Sequence, residues 1–384
     1  MKDSYDIAIV GAGPAGSSSA IRLALAGKRV VLIEKAKFPR EKLCGEFISP
    51  ECLEHFDDLG VLDVIRSASG VEIRETIFYG RGGRGVAVPS AMFGAAHANA
   101  LGLSRAEMDL RLLERARDVG VDVREGTNAS ELVVTDGAVV GVRVRSAGVE
   151  PVIEAPLVLD ATGRVRALAR GSEDRRLRAT SVAFKTHVRG VDIPDDRCEI
   201  FSYRGGYGGT SRVEGGLYNV CFIASAKDVK LLESDPERVF REIVCSNKRA
   251  ARVFRTVEFN GGWLAVPIER FGRGSLSLVP GLLTIGDAAA FIDPFTGSGM
   301  LMALESARIA VESIVATSDL ANVAGEYERR YSAAFEKRLR MCSWLRRASF
   351  VPWLAEATIL AVTISDGLKN RLVKATRSVS VART

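Results

Sequence analysis

Histidine is scarce in this chain, with three in 384 residues, and the six cysteines are scattered: Cys44, Cys52, Cys198, Cys221, Cys245 and Cys342. No pair forms CxxC or CxxxxC, so neither a zinc knuckle nor a redox-active dithiol is readable. Single thiols spread along a large chain predict reduced, mostly buried cysteines and a cytoplasmic setting. Runs of one charge are also missing. The 53 Lys and Arg against 47 Asp and Glu give a net charge of +6 with no stretch of five basic residues, so no nucleic-acid partner is expected. The first residues lack the charged, apolar and cleavage regions of a signal peptide, and none is expected. The longest late apolar stretch, Val351 to Ile364, is about 14 residues long and carries Glu356. A spanning helix needs about 20.

The residues that are present provide for a large core, since 47% are hydrophobic. A chain this long predicts two or three domains, because single cores rarely grow beyond roughly 250–300 residues. Tyr5 to Val10 reads as a buried strand, followed by Gly11-Ala-Gly13-Pro-Ala15-Gly16 and a helix of small residues from Ser17 to Ala26. A second apolar strand, Arg29 to Ile33, ends in Glu34. Strand, glycine turn, helix, strand and acid together make a dinucleotide fingerprint. Gly11 permits the tight turn, Gly13 lets backbone approach a pyrophosphate, and Gly16 lets the helix pack on the strand. The helix N-terminus offers free N–H groups and a positive dipole to phosphates. Glu34 can accept hydrogen bonds from a ribose 2′-hydroxyl and repels a 2′-phosphate, which points to NAD or FAD.

Two later segments favour FAD. Pro156-Leu-Val-Leu-Asp160-Ala-Thr-Gly163-Arg164 is a strand ending in a small-residue turn. Gly281-Leu-Leu-Thr-Ile-Gly286-Asp287 is another, and Asp293-Pro294-Phe-Thr-Gly297-Ser-Gly299-Met300 opens a long helix. A carboxylate at a strand end can bind a ribityl hydroxyl, and a glycine-rich helix start can face the pyrimidine edge of a flavin.

These motifs, with the loop Phe38-Pro-Arg40-Glu-Lys-Leu-Cys44-Gly-Glu46, resemble the FAD-binding fold of the p-hydroxybenzoate hydroxylase-like flavoproteins, and within it the geranylgeranyl reductase family. Flavin-dependent halogenases are more distant cousins. The resemblance spans residues 5 to about 310. It implies an α/β fold: a Rossmann-like FAD-binding domain with a parallel sheet, an inserted antiparallel-sheet substrate domain and C-terminal helices. It also implies the site residues. Gly11, Gly13, Ala15 and Gly16 would hold the diphosphate, and Glu34 with Lys35 the adenosine ribose. Arg40, Cys44 and Arg105 would lie near the flavin and its phosphates, with Asp160 in the middle turn. Asp287 would bind the ribityl chain or the diphosphate, with Gly286 beside it in the cofactor site, while Pro294, Gly297, Gly299 and Met300 would line the isoalloxazine. No catalytic residue is assigned; Cys44, Pro294 and Gly297 are candidates for lining the flavin site. Ala161 replaces a glycine common in the middle turn. Arg105 opens an amphipathic helix at an unfavourable place for a cation, which favours a ligand role.

The expected organisation is discontinuous. Residues 1–70, 101–170 and 276–325 would form the FAD domain, with a hairpin at Asp136-Gly137. Residues 71–100 and 171–275 would form one antiparallel sheet that binds substrate, and residues 326–384 a helical end. Arg204-Gly-Gly-Tyr207-Gly-Gly209 reads as a turn, since no helix follows it. The platform aromatics Phe184, Phe201, Tyr203, Tyr207, Tyr218, Phe222 and Trp263 either face the flavin, suiting an apolar substrate, or pack as core. His97 and His187 are not placed by the pattern and read as structural or exposed. The basic flanks Lys369, Arg371, Lys374 and Arg377 after the apolar run suit peripheral contact with the inner membrane face or a packing helix.

The function implied is an FAD-dependent oxidoreductase that reduces C=C bonds of a prenyl or lipid-like substrate by hydride transfer from reduced FAD. The alternative is an NAD(P)H-dependent FAD monooxygenase that hydroxylates or epoxidises an aromatic or polyketide substrate. With no second dinucleotide fingerprint, NAD(P)H would bind transiently, or a separate partner would supply electrons. A halogenase is disfavoured: of the Gly-Trp-x-Trp-x-Ile-Pro motif, Gly262-Trp263-Leu-Ala265-Val-Pro267 keeps one tryptophan. No metal site is expected.

Overall fold

Four consecutive buried residues in Ile7–Val10 (β1) and four more in Val30–Ile33 (β2) are the mark of strands covered on both faces. In the computed structural model, which describes residues 4–93, 96–146, 148–169, 178–269, 271–292, 297–317 and 319–349 (the last eight as backbone) with Gly367, they form the centre of a parallel sheet. Its order is Leu282–Thr284, Leu157–Asp160, β1, β2, Asp122–Arg124, with every neighbouring pair parallel. In register, Val10 lies beside both Asp160 and Ile33, so three strands end level. Their carboxyl ends are where open α/β sheets bind ligands.

Helices Pro14–Leu25 (α1), Arg105–Asp118 and Gly299–Ala316 cover one face of this sheet through a core that includes Ile21, Leu112, Leu304 and Ala310. The other face is covered by the antiparallel strands Asn128–Thr135, Ala138–Arg145 and Val152–Glu154. Asp136 (φ 50°) and Gly137 (φ 79°) make the hairpin turn, as the Asp-Gly pair predicts.

The second sheet has eight strands. Its core runs Ser181–Arg189, Tyr218–Ser225, Gly206–Arg212, Arg197–Tyr203, Glu75–Tyr79, Gly85–Pro89, with Glu258–Phe259 and Leu264–Ile268 beside Ser181–Arg189. One pairing departs from the expected antiparallel pattern: Glu75–Tyr79 runs parallel to Arg197–Tyr203. No hairpin joins these two strands, so no turn dictates their direction. Only Arg204–Gly205 of the glycine-rich run is a turn; Gly206, Gly208 and Gly209 lie in a strand. A Cβ at Gly206 would stand 1.9 Å from the Ile223 carbonyl oxygen, so this strand needs glycine to pair closely.

Short helices at Ala226–Leu231, Pro236–Glu242 and Lys248–Val253 interrupt the strands of the second sheet and pack on one of its faces. Leu320–Ser349 is one continuous 30-residue helix. It seats Tyr327, Tyr331 and Phe335, one turn apart, in the first core. Among the described residues no helix is long and apolar enough to cross a membrane. The segment expected to make membrane contact, Val351 onward, lies outside the described residues except for Gly367.

Candidate cofactor and substrate cleft

The three glycines of the first turn have different reasons to be glycine. Gly11 has φ +101° and an added Cβ would meet the Ala161 carbonyl oxygen at 2.5 Å; a Cβ at Gly16 would stand 1.8 Å from the Gly11 carbonyl oxygen. Both are required by the fold itself. Gly13 has ordinary angles (φ −78°, ψ −174°), and its Cβ would meet only Arg105 Nη2, at 3.7 Å. The protein tolerates a side chain there. What Gly13 keeps open is the floor of a cleft of about 490 Å³, and a dinucleotide pyrophosphate is the group this fold seats at that point.

Around this floor the charges are fixed. Glu34 is buried and accepts from the Ala12 N–H (2.9 Å) and the Ala36 N–H (3.0 Å). Burial pushes its carboxyl up, but Arg40 and these two amides outweigh it and hold it below the usual carboxylate range. Arg105 donates to both oxygens of buried Asp109 at 2.8 Å, and Arg40 donates to the same carboxylate at 2.9 Å. One carboxylate thus orients two guanidinium groups, and Lys35 and Lys42 add further cations to the cleft wall. This charge surplus beside a glycine-lined helix start fits a diphosphate.

Ala15, Gly286, Asp287, Gly297, Gly299 and Met300 also line the cleft, the last two as the first turn of Gly299–Ala316. Burial, opposed by Arg105 and Arg164, pushes the Asp287 carboxyl up to about 6. A ligand hydroxyl donating to Asp287 would stabilise its charge. Pro294 lies outside the described residues. Asp160 does not reach the cleft, contrary to expectation. Its carboxylate accepts from the Thr162 N–H, the Thr162 hydroxyl and the Leu168 N–H, so it builds the turn while Ala161, Thr162 and Gly163 face the ligand space.

Cys44 lines the cleft half-buried, with the Glu46 N–H donating to its Sγ at 3.4 Å. Glu46, with a left-handed backbone (φ 53°), is the centre of a cluster that sequence reasoning missed. Its Oε1 accepts from Lys185 Nζ (2.6 Å) and the Arg105 N–H (2.8 Å), and its Oε2 pairs with His187 Nε2 at 2.7 Å. Burial opposes both charges. Contacts with His187 and Lys185 hold Glu46 below the usual carboxylate range, and Glu46 and Glu41 hold Lys185 above its ordinary value. Glu41, Glu46 and His187 bring ligand-type atoms within 4.8 Å of one another, but the Lys185 ammonium already bonds both carboxylates, so the cation of this cluster is the lysine. A lysine two residues before His187, and so on the same face of a largely buried strand, was the available signal.

The platform shows the cleft a different face from the aromatic one. Phe184, Phe201, Tyr203, Tyr218 and Phe222 are buried with Phe240 and Phe254 under the short helices, and Trp263 packs there against Phe184, Phe222 and Phe259. Of the aromatics singled out, Tyr207 packs in the cleft wall beside Ile200, Ile223 and Ile268, and Phe222, which belongs to the aromatic cluster, also borders the cleft. Alternation separates two faces of a strand but does not say which receives the helices. The cleft therefore joins a charged, glycine-floored end to an apolar wall in which the aliphatic Ile200, Ile223 and Ile268 stand with Tyr207, Phe78, Phe93 and Phe291.

The sequence matches the FAD binding domain family over residues 4–195, half of the chain. Digeranylgeranylglycerophospholipid reductase of Methanosarcina mazei is 28% identical over 344 residues, covering 86% of this chain and 81% of that protein. The fold is that of a geranylgeranyl bacteriochlorophyll reductase-like protein from Thermoplasma acidophilum (TM-score 0.78, 21% identity, 98% of this chain and 96% of that one). It is equally that of the myxobacterial chondrochloren halogenase CndH (TM-score 0.78, 20% identity, 98% and 94%). With its glycine cradle, paired arginines and matched half, the chain belongs to the FAD binding domain family.

Proposed function

We propose that this FAD-dependent oxidoreductase reduces C=C bonds of a prenyl or other lipid-like substrate. The observation that carries the proposal is the continuity of the cleft, from the Gly13 floor and Arg105 to the aliphatic wall of Ile200, Ile223 and Ile268. Similarity to a reductase named for a digeranylgeranyl lipid supports the substrate class. Gly11, Gly13, Ala15 and Gly16 would hold the FAD diphosphate with Arg105, while Glu34 and Asp287 would take ribose and ribityl hydroxyls. Bound FAD supplies the two-electron chemistry. The protein's part is to orient the acceptor against it, exclude water with the apolar wall, and keep the Glu46 and Lys185 charges paired beside the site, with His187 hydrogen-bonded to Glu46. The test is to reduce the flavoprotein anaerobically, add a geranylgeranyl compound, and follow flavin reoxidation and product mass. Reoxidation with a mass gain of two hydrogens supports the reading. No reoxidation without oxygen, followed by oxygenated product once air is admitted, would replace it with the monooxygenase reading.

NAD(P)H, bound transiently, is the proposed electron donor. Bleaching of the flavin by NADH or NADPH without oxygen supports it; failure of both points to a separate carrier protein. Residues 351–384 are proposed to rest on an anionic membrane surface, and co-sedimentation of the full chain, but not of one ending at 349, with anionic vesicles is the expected result.

A further inference from the structure

On the wall beside Ile223 and Tyr207, two polar side chains face each other. Ser211 and Asn219 are directly opposite each other on neighbouring antiparallel strands, so their side chains share a face. Each is 1% exposed, and Ser211 lines the cleft with Gly209 and Tyr207, two and four positions back along its strand. The Ser211 hydroxyl oxygen and the Asn219 Oδ1 are buried and have no hydrogen-bond partner. The orientation of the Asn219 amide is set by its other end. Nδ2 donates to the Cys44 carbonyl oxygen at 3.1 Å, which only an N–H can do, and this leaves Oδ1 as an acceptor in want of a donor. Two buried polar atoms left unmet side by side in a largely apolar wall are costly, and a water, an ion or a ligand group that meets both removes the cost.

We propose that Ser211 and Asn219 anchor a hydroxyl group of the substrate, which donates to Asn219 Oδ1 and accepts from the Ser211 hydroxyl. A hydroxyl matches because one donor and one acceptor are needed at adjacent points, and a hydrocarbon offers neither. Because Asn219 also holds the carbonyl of Cys44, the anchor lies against the loop that lines the cofactor end of the cleft. The substrate is then an apolar molecule bound hydroxyl-first rather than a plain hydrocarbon. This rests on the prenyl-reductase reading only for the identity of the apolar part.

The test is equilibrium binding to the oxidised FAD-loaded protein, read by the change in flavin absorbance, so that no turnover is needed. Geranylgeraniol is compared with the hydrocarbon carrying methyl in place of hydroxyl. The alcohol is expected to bind roughly tenfold tighter or better, the penalty a site built for a hydroxyl imposes on its analogue. Ser211→Ala should erase most of that advantage, leaving hydrocarbon affinity and the spectrum of bound FAD unchanged. Equal binding of the two by the native protein would overturn the anchor and leave the reductase reading standing. A Ser211→Ala protein with weakened FAD binding in the absence of substrate would also overturn it, because the pair would then serve the cofactor. A phenol and its methyl analogue form the second pair. If the prenyl compounds fail to bind and the phenol outbinds its analogue, the anchor stands and the prenyl reading falls; no hydroxyl advantage in either pair overturns the anchor.

Discussion

Gly13 and Gly16 are three residues apart in one motif, yet substitution should separate their roles. Gly13→Ala adds a methyl that meets only Arg105 Nη2 at 3.7 Å, so the fold should keep its stability within about 1 kcal/mol while FAD affinity drops at least about tenfold. Gly16→Ala drives a methyl to 1.8 Å from a backbone oxygen and should cost about 3 kcal/mol or more. Thermal melts of the FAD-stripped proteins and FAD titrations distinguish the two; equal destabilisation would contradict the assignment. Asp287 gives a pH signature. Its carboxyl in the folded protein ionises near 6, above the ordinary 3.8, so between those values the folded state keeps a proton that the unfolded chain has released. The cost of ionising it is absent below about 4 and fully present above about 6. Asp287→Asn should therefore stabilise the FAD-stripped protein at pH 7 by about 2–3 kcal/mol, with the gap closing toward pH 4.

Where the Cys44–Glu46 loop meets strand Ser181–Arg189, the join is made by charge. Glu46 and Lys185 are 0% and 1% exposed and bonded at 2.6 Å. Removing one partner of such a pair leaves the other charged and buried, so Lys185→Met should cost about 3 kcal/mol. Combining it with Glu46→Gln should recover at least about 1 kcal/mol of the summed single losses, as a double-mutant cycle in denaturant would read. Glu46 ionises below the ordinary carboxylate value, so its contribution is present above that value and lost as pH falls through the folded one. Lys185→Met should narrow that acid dependence. Additive effects of the two changes would show that the pair does not act as a unit.

For the molecule as a whole, binding and stability are linked. FAD at about one hundred times its Kd should add about 2.7 kcal/mol, seen as a higher melting temperature, and at the same FAD concentration a tenfold loss of affinity in Gly13→Ala should cut the gain to about 1.4 kcal/mol. The βαβ unit, the Asp136–Gly137 hairpin and the parallel sheet were legible from sequence because each is a local matter: apolar runs, glycine angles and turn chemistry act over a few residues. So was the meeting of Gly11, Gly13, Glu34 and Arg105 at one cleft, since each stands at an end of those elements. Three features were not legible. Asp160 sits at a strand end like Asp287, but its turn folds back and takes both its oxygens, which no spacing reveals. The aromatics of the platform obey strand alternation, yet the short helices that cover them decide which face is core. Glu46, Lys185, His187 and the Ser211–Asn219 pair come together across more than a hundred residues of sequence or across a sheet register. The sequence by itself therefore determined the cofactor cradle and the class of fold. Only tertiary structure decided what the cleft offers a substrate, because that depends on which faces two separately folded sheets turn toward each other.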